Sequence, residues 1–182
     1  ITSDAYITIN AFHMQTRHPI VYYVEPITDE DAYTNLSSTG SDGIEMVVQI
    51  KKKWGGVDIN GSFYNSKDGD DVQIYSVPGK ENTHLGLAKY KANFSAHYLI
   101  TSSIQVGSNL NWLSPRYGIG EVYTVDEIPV YTKYPSFVLL NAHIEYRVKK
   151  IKGLTIRFGI RNILNDEELF IQPYSSNHAP LP

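Results

Sequence analysis

Cysteine is absent from the 182 residues. That removes disulfide staples, thiol catalysis and cysteine-built zinc sites, and it suits an envelope or secreted protein. Long apolar runs are also missing. No stretch approaches the roughly 18 apolar residues of a helical membrane span, and mean hydropathy is -0.27. Strand crossings survive this test, because a barrel strand needs an apolar residue only at every second position. An excess of basic charge is lacking as well: Lys+Arg 16 against Asp+Glu 19 gives a net charge of -3, so no nucleic-acid footprint exists. No Gly-x-Ser-x-Gly elbow or His-Glu-x-x-His motif occurs, and Ser, His and Asp show no triad spacing. The reading is therefore not an enzyme, with no catalytic residue, metal or cofactor assigned. Ile1-Thr2-Ser3-Asp4 has neither the basic start nor the apolar run of a signal peptide, so a mature form or a piece of a longer protein is expected. Nothing resembles a linker, and residues 1–182 read as one unit.

Tyrosine, at 14, outnumbers Phe at 6 and Trp at 2; it is the aromatic of interfaces, apolar along the ring and wet at the hydroxyl. The dominant pattern is alternation. Val138, Leu140, Ala142, Ile144 and Tyr146 fall on one face of a strand, with Asn141, His143, Glu145 and Arg147 on the other. Leu154, Ile156, Phe158 and Ile160 repeat this against Thr155, Arg157, Gly159 and Arg161. Further strands read from Asp4 to about Val24 (with a bulge near Arg17-His18-Pro19 as the alternative), Gly43 to Lys51, Val57 to Asn65, Lys89 to Tyr98 and Ser103 to Trp112. A soluble sandwich would bury the apolar faces. An outer-membrane barrel would turn them to lipid and line its interior with the charged ones.

Connection lengths favour the barrel. Short turns fall at about 52–56, 99–102 and 149–153; long polar loops fall at about 25–42, 66–88 and 113–136, with a last one from Asn165. Up-and-down outer-membrane barrels show this asymmetry of periplasmic turns and extracellular loops. Strands of about nine or ten residues match a tilted bilayer crossing. Tyr90 and Tyr98 share a face and lie roughly 20 Å apart along the barrel axis, while Trp112 and Tyr146 end their stripes at opposite interfaces, as aromatic girdles require.

Gly159-Ile160-Arg161-Asn162-Ile163-Leu164-Asn165-Asp166, followed by Phe170, resembles the last-but-one strand of TonB-dependent outer-membrane receptors. Val77-Pro78 with Lys91-Ala92-Asn93-Phe94, Gly107 to Trp112 with Arg116-Tyr117, Ser41-Asp42-Gly43-Ile44-Glu45, and Pro135-Ser136-Phe137 through Asn141 are similar, in order, to other late segments of that family. The resemblance implies an all-β antiparallel up-and-down meander, about seven strands of a 22-stranded transmembrane β-barrel, forming the C-terminal portion of the wall. It implies a bacterial cell outer membrane location and uptake of a scarce nutrient, such as an iron-siderophore, cobalamin or glycan. It implies as partners outer-membrane lipid, the receptor's own plug domain, the TonB complex and a small-molecule or metal-chelate ligand. The plug, the energy-coupling segment and the closing aromatic-ended strand are expected to lie outside these residues.

On that reading Glu45, Lys89, Lys91, Glu145, Arg147, Arg157 and Arg161 face the lumen and the plug. Arg116, Tyr117, Tyr123, Tyr131 and Tyr134 crowd one extracellular loop and are the candidate ligand contacts, although a loop packed on itself would also account for them. His97 and His143 share the lumen side on strands that are not neighbours, which reads as polar filler rather than a metal site. Lys67-Asp68-Gly69-Asp70-Asp71 lacks the glutamate of a calcium loop, and the lysines of the turns at 51–53 and 149–152 read as solvated or as neighbours of anionic headgroups. A last expectation is that Glu145 and Arg157 face each other across the final hairpin. Two alternatives remain: a small stand-alone outer-membrane barrel, and a soluble all-β glycan-binding module.

Overall fold

The computed structural model describes residues 4–24, 30–67, 76–123 and 128–167. Eleven strands are formed among them: β1 (Ala5–Arg17), β2 (Ile20–Val24), β3 (Asp31–Asn35), β4 (Ser38–Lys52), β5 (Gly55–Lys67), β6 (Tyr90–Leu99), β7 (Ile104–Leu113), β8 (Arg116–Tyr123), β9 (Ile128–Tyr134), β10 (Phe137–Arg147) and β11 (Thr155–Ile160). Seven of them make one antiparallel sheet in the order β1-β4-β5-β6-β7-β10-β11, while β2-β3 and β8-β9 are separate two-stranded ribbons.

The register carries one face unbroken across all seven strands. Ile7, Val48, Ile59, Phe94, Leu110, Leu140 stand in one directly paired row, and Ile9, Met46, Gly61, Ala92, Trp112, Val138 in the next. On β11, Phe158 and Ile160 pair with Ile144 and Ala142 of the same face. A slip of one residue in any pair would put an apolar set among the asparagines, so the alternation itself pins the pairing.

Among the described residues no second layer covers this apolar face. Ile7 is 65% exposed, Ile9 66%, Phe158 71% and Ile160 65%. Among the described residues the buried apolar ones are Val77, Leu85, Ala88, Ile119 and Phe137, all at the loop end. An exposed apolar sheet face of this extent fits a face that meets lipid.

The connections sort by length. Residues 53–54, 100–103 and 148–154 join strands at one end of the sheet, and the β1–β4, β5–β6 and β7–β10 links lie at the other. At the short end Gly153, with φ +85, takes the left-handed conformation that a side chain would strain.

Several strand limits differ from the alternation. The strand expected from Asp4 to Val24 breaks at His18-Pro19, where His18 takes φ +52 and proline offers no N–H. The ladder continues through the break, His18 N donating to Ser37 O (3.2 Å) and Leu36 N to Pro19 O (3.0 Å), so β2-β3 prolongs the β1-β4 ribbon. The 25–42 loop therefore contains β3 and the start of β4, whose polar residues carry no lipid-facing stripe. The 66–88 loop starts after Lys67, and the 113–136 loop is largely the β8-β9 hairpin. The Asp68-Gly69-Asp70-Asp71 segment, Phe170 and most of the tail after Asn165 lie outside the described residues.

Candidate functional site

The face opposite the apolar one is mainly polar. Gln49, Asp58, Ser95, Asn109 and Asn141 form one row, and Val47, Asn60, Asn93, Asn111 and Leu139 the next. Asn141 Nδ2 donates to Asn109 Oδ1 (2.8 Å), so asparagines satisfy one another across strands.

The expected lumen charges all carry the parity of this face, and they are spread over it. Arg157 and Glu145 are direct partners in the register and form an ion pair; His143 Nε2 lies 3.8 Å from the same carboxylate oxygen. Glu45 and Lys91 stand at one height on either side of Ser62 and line a polar recess with Asn60 and Asn93. Lys89 precedes β6, its carbonyl accepting from Tyr64 N (2.9 Å). Arg147 ends β10 at the short-turn end, and Arg161 follows β11 at the loop end.

A row that alternates glycine and histidine crosses this face: Gly56, His97, Gly107, His143 and Gly159 are successive register partners. Each imidazole lies over the glycine of a neighbouring strand. A Cβ on Gly107 would come within 2.6 Å of His143 Nε2, and one on Gly56 within 2.7 Å of His97 Cε1. Among the described residues no three His, Asp or Glu side chains gather as metal ligands.

Residues 162–166 form a clasp at the end of β11. Asn162 Nδ2 donates to Asp166 O (2.8 Å), and Asp166 N donates to Asn162 Oδ1 (3.1 Å). The Asp166 carboxylate accepts the Val138 N–H (2.8 Å), and Asn141 Oδ1 accepts the Asn162 N–H (2.9 Å). Asn162 and Asn165 both have positive φ, 50 and 51, a conformation asparagine tolerates better than other side-chain-bearing residues. The resemblance singled out this stretch, while its function as a tie between the end of β11 and β10 was not read from the sequence.

At the loop end, Val77, Leu85 and Ile119 form a small core against which Tyr117 and Tyr131 pack. Gly86 N donates to Tyr117 O (2.7 Å), and Leu85 bridges Tyr117 in parallel, so the 76–88 segment is tied to the β8-β9 hairpin. Arg116 and Tyr134 pair at the base of that hairpin. The Arg116 Nε is buried and has no hydrogen-bond partner among the described residues. Tyr123 ends β8, and its side chain lies outside the described residues.

A single-layer antiparallel meander, apolar on one face and polar on the other, with short turns at one end and long structured loops at the other, is the wall of an outer-membrane-type β-barrel. Residues 2–163 match the family model described as TonB dependent receptor-like, beta-barrel, and the chain belongs to that family. No curated protein matches the sequence. Among solved structures, the chain is similar to the ferric-catecholate import receptor Fiu from E. coli K12 (TM-score 0.64, 13% identity, covering 90% of this chain and 21% of that one). It is similar to the FrpB iron transporter from Neisseria meningitidis (F3-3 variant; 0.64, 11%, 100% and 28%) and to the copper transporter OprC (0.64, 14%, 99% and 27%). The chain thus spans between 21% and 28% of the length of these structures.

Proposed function

We propose that this chain is part of the barrel wall of an outer-membrane receptor that imports a scarce nutrient with energy delivered through TonB. The observation that carries the reading is the continuous apolar face of the seven-stranded sheet, with exposed apolar residues on β1, β4, β6, β10 and β11, opposite an asparagine-rich face bearing Glu45, Lys91, Glu145 and Arg157. A polar face of this kind suits contact with a hydrated plug, to which Lys89, Arg147 and Arg161 would add charge-assisted bonds. Family members are transporters, and no catalytic role is proposed. Two of the similar structures are a ferric-catecholate import receptor and an iron transporter, which makes an iron chelate the first cargo to test; copper, a cobalamin or a glycan follow.

For ligand contact, the five residues of the tyrosine-rich loop divide by environment. Tyr117 and Tyr131 are engaged in the loop core, whereas Arg116, the register partner of Tyr134, has a buried Nε–H without a partner among the described residues. Arg116 and Tyr134 are the stronger candidates for an anionic chelate. The experiment is uptake of a radiolabelled ferric catecholate by cells expressing the intact receptor as their sole importer, with and without TonB. Uptake that requires both is expected. Uptake unaffected by loss of TonB would refute the energised mechanism.

A further inference from the structure

The short-turn rim of the sheet has two features that solvated turns do not need. The first is charge: six lysines fall at Lys51, Lys52, Lys53, Lys149, Lys150 and Lys152 in stretches without an acidic residue, although the chain as a whole carries -3. Lys52 is matched by Asp4, its Nζ 2.8 Å from Oδ2. The lysines of the turns themselves, Lys53, Lys149, Lys150 and Lys152, are exposed. The second is apolar surface inside the same turns. Trp54 follows Lys53 and is 45% exposed; Ile151 stands between Lys150 and Lys152 at 56%; Ile100, in the turn between them, is 53% exposed.

Trp54 also borders the lipid-facing side. Its ring lies 5.9 Å from that of Tyr98, and a recess of about 300 Å³ is lined by Trp54, Val57, Ala96, Tyr98, Val106 and Ser108, with Gly56, His97 and Gly107 of the glycine–histidine row completing its wall. Ala96 and Ser108 are small residues in one row, so the outward surface is hollow directly above the aromatic pair.

We propose that this rim docks anionic phospholipids of the leaflet on the short-turn side, lysine ammonium groups holding the phosphates and the recess beside Trp54 seating an acyl chain. The reading rests on the membrane-spanning wall proposed above. Lysine stems run along apolar surface and place their ammonium groups at headgroup level. Clustered lysines next to a bilayer attract anionic headgroups over zwitterionic ones. The β4–β5 and β10–β11 turns stand about 19 Å apart, four strand spacings, which accommodates two or three adjacent headgroups. An acidic protein would pair with the lysines as well, but it gives no reason for an indole and a hollow on the lipid-facing side.

The test uses the intact receptor in phosphatidylcholine bilayers containing, at equal mole fraction, either brominated phosphatidylglycerol or brominated phosphatidylcholine. The W54F protein serves as background, so that the quenched signal is that of Trp54. Brominated phosphatidylglycerol should quench Trp54 as though enriched about threefold or more beside it. The preference should vanish in K53Q/K149Q/K150Q/K152Q and at high ionic strength, the latter also serving if that variant folds poorly. Equal quenching by the two lipids would overturn the proposal and leave an acidic protein as the lysines' partner. A preference that survives both the glutamines and salt would overturn it too. Quenching by neither lipid would refute the membrane-spanning wall itself.

Discussion

Arg157 donates to Glu145 across the β10–β11 hairpin, each the direct register partner of the other. The Glu145 side chain is 18% exposed and that of Arg157 65%, so the carboxylate is sheltered and the guanidinium open on the polar face. A pair screened by water on one side contributes about 0.2–1 kcal/mol. A double-mutant cycle of E145Q and R157Q on the intact receptor should give a coupling in that range. Zero coupling, with each single change neutral, would show that water rather than the pairing satisfies both side chains.

The glycine beneath His143 sets a second expectation. Gly107 has no room for a side chain while the imidazole lies over it. Gly107→Val should destabilise the folded receptor by about 1–3 kcal/mol, as overpacking does. The paired change G107V/H143A should recover most of it, because the clash is with the ring alone. Denaturant midpoints of the three proteins measure both effects.

The Asn162–Asp166 clasp leads to a third. Asp166→Ala removes the acceptor of the Val138 N–H and should cost about 1–3 kcal/mol where that amide stays shielded from water. Asp166→Asn keeps an acceptor oxygen and should cost less. Hydrogen exchange at Val138 gives the local readout: it should quicken in the alanine protein and remain slow in the asparagine one.

The loop core gives a fourth. Ile119 is 1% exposed between Val77 and Leu85. Ile119→Ala should cost the loop unit about 2–4 kcal/mol, freeing residues 116–134 for proteolysis while the seven-stranded sheet stays intact. Cleavage should appear in both the 76–88 and the 116–134 segments, since one core holds them.

Alternation made the sheet legible in advance. Val138 through Arg147 specified its faces, and the five-residue connection from Lys149 to Gly153 placed Glu145 and Arg157 opposite or one diagonal step apart; a period of two fixes the face and leaves slips of two residues to the turns. The ribbons were not legible by that route. β2, β3, β8 and β9 do not alternate apolar and polar residues, and a segment such as Asp31-Ala32-Tyr33-Thr34-Asn35 shows no stripe. The candidate site was legible in kind more than in detail. The lumen-side charges sit on the polar face by parity alone. The engagement of Tyr117 and Tyr131 depends instead on contacts with Val77 and Leu85, some thirty or more residues away in sequence. The glycine–histidine row could have been found by aligning the strands in register, where Gly56, Gly107 and Gly159 fall beside His97 and His143.

The central claim is that the apolar face of the seven-stranded sheet meets lipid. β6 tests it most directly, because Ala92, Phe94 and Ala96 point to one face and Asn93, Ser95 and His97 to the other. The absence of cysteine from these residues lets single spin labels be placed at will. With labels at positions 92 to 97 of the intact receptor in bilayers, collision with dissolved oxygen should peak at 92, 94 and 96. Collision with a polar nickel reagent should be lowest at those same positions. Equal values along the strand, or oxygen maxima at 93, 95 and 97, would contradict the account.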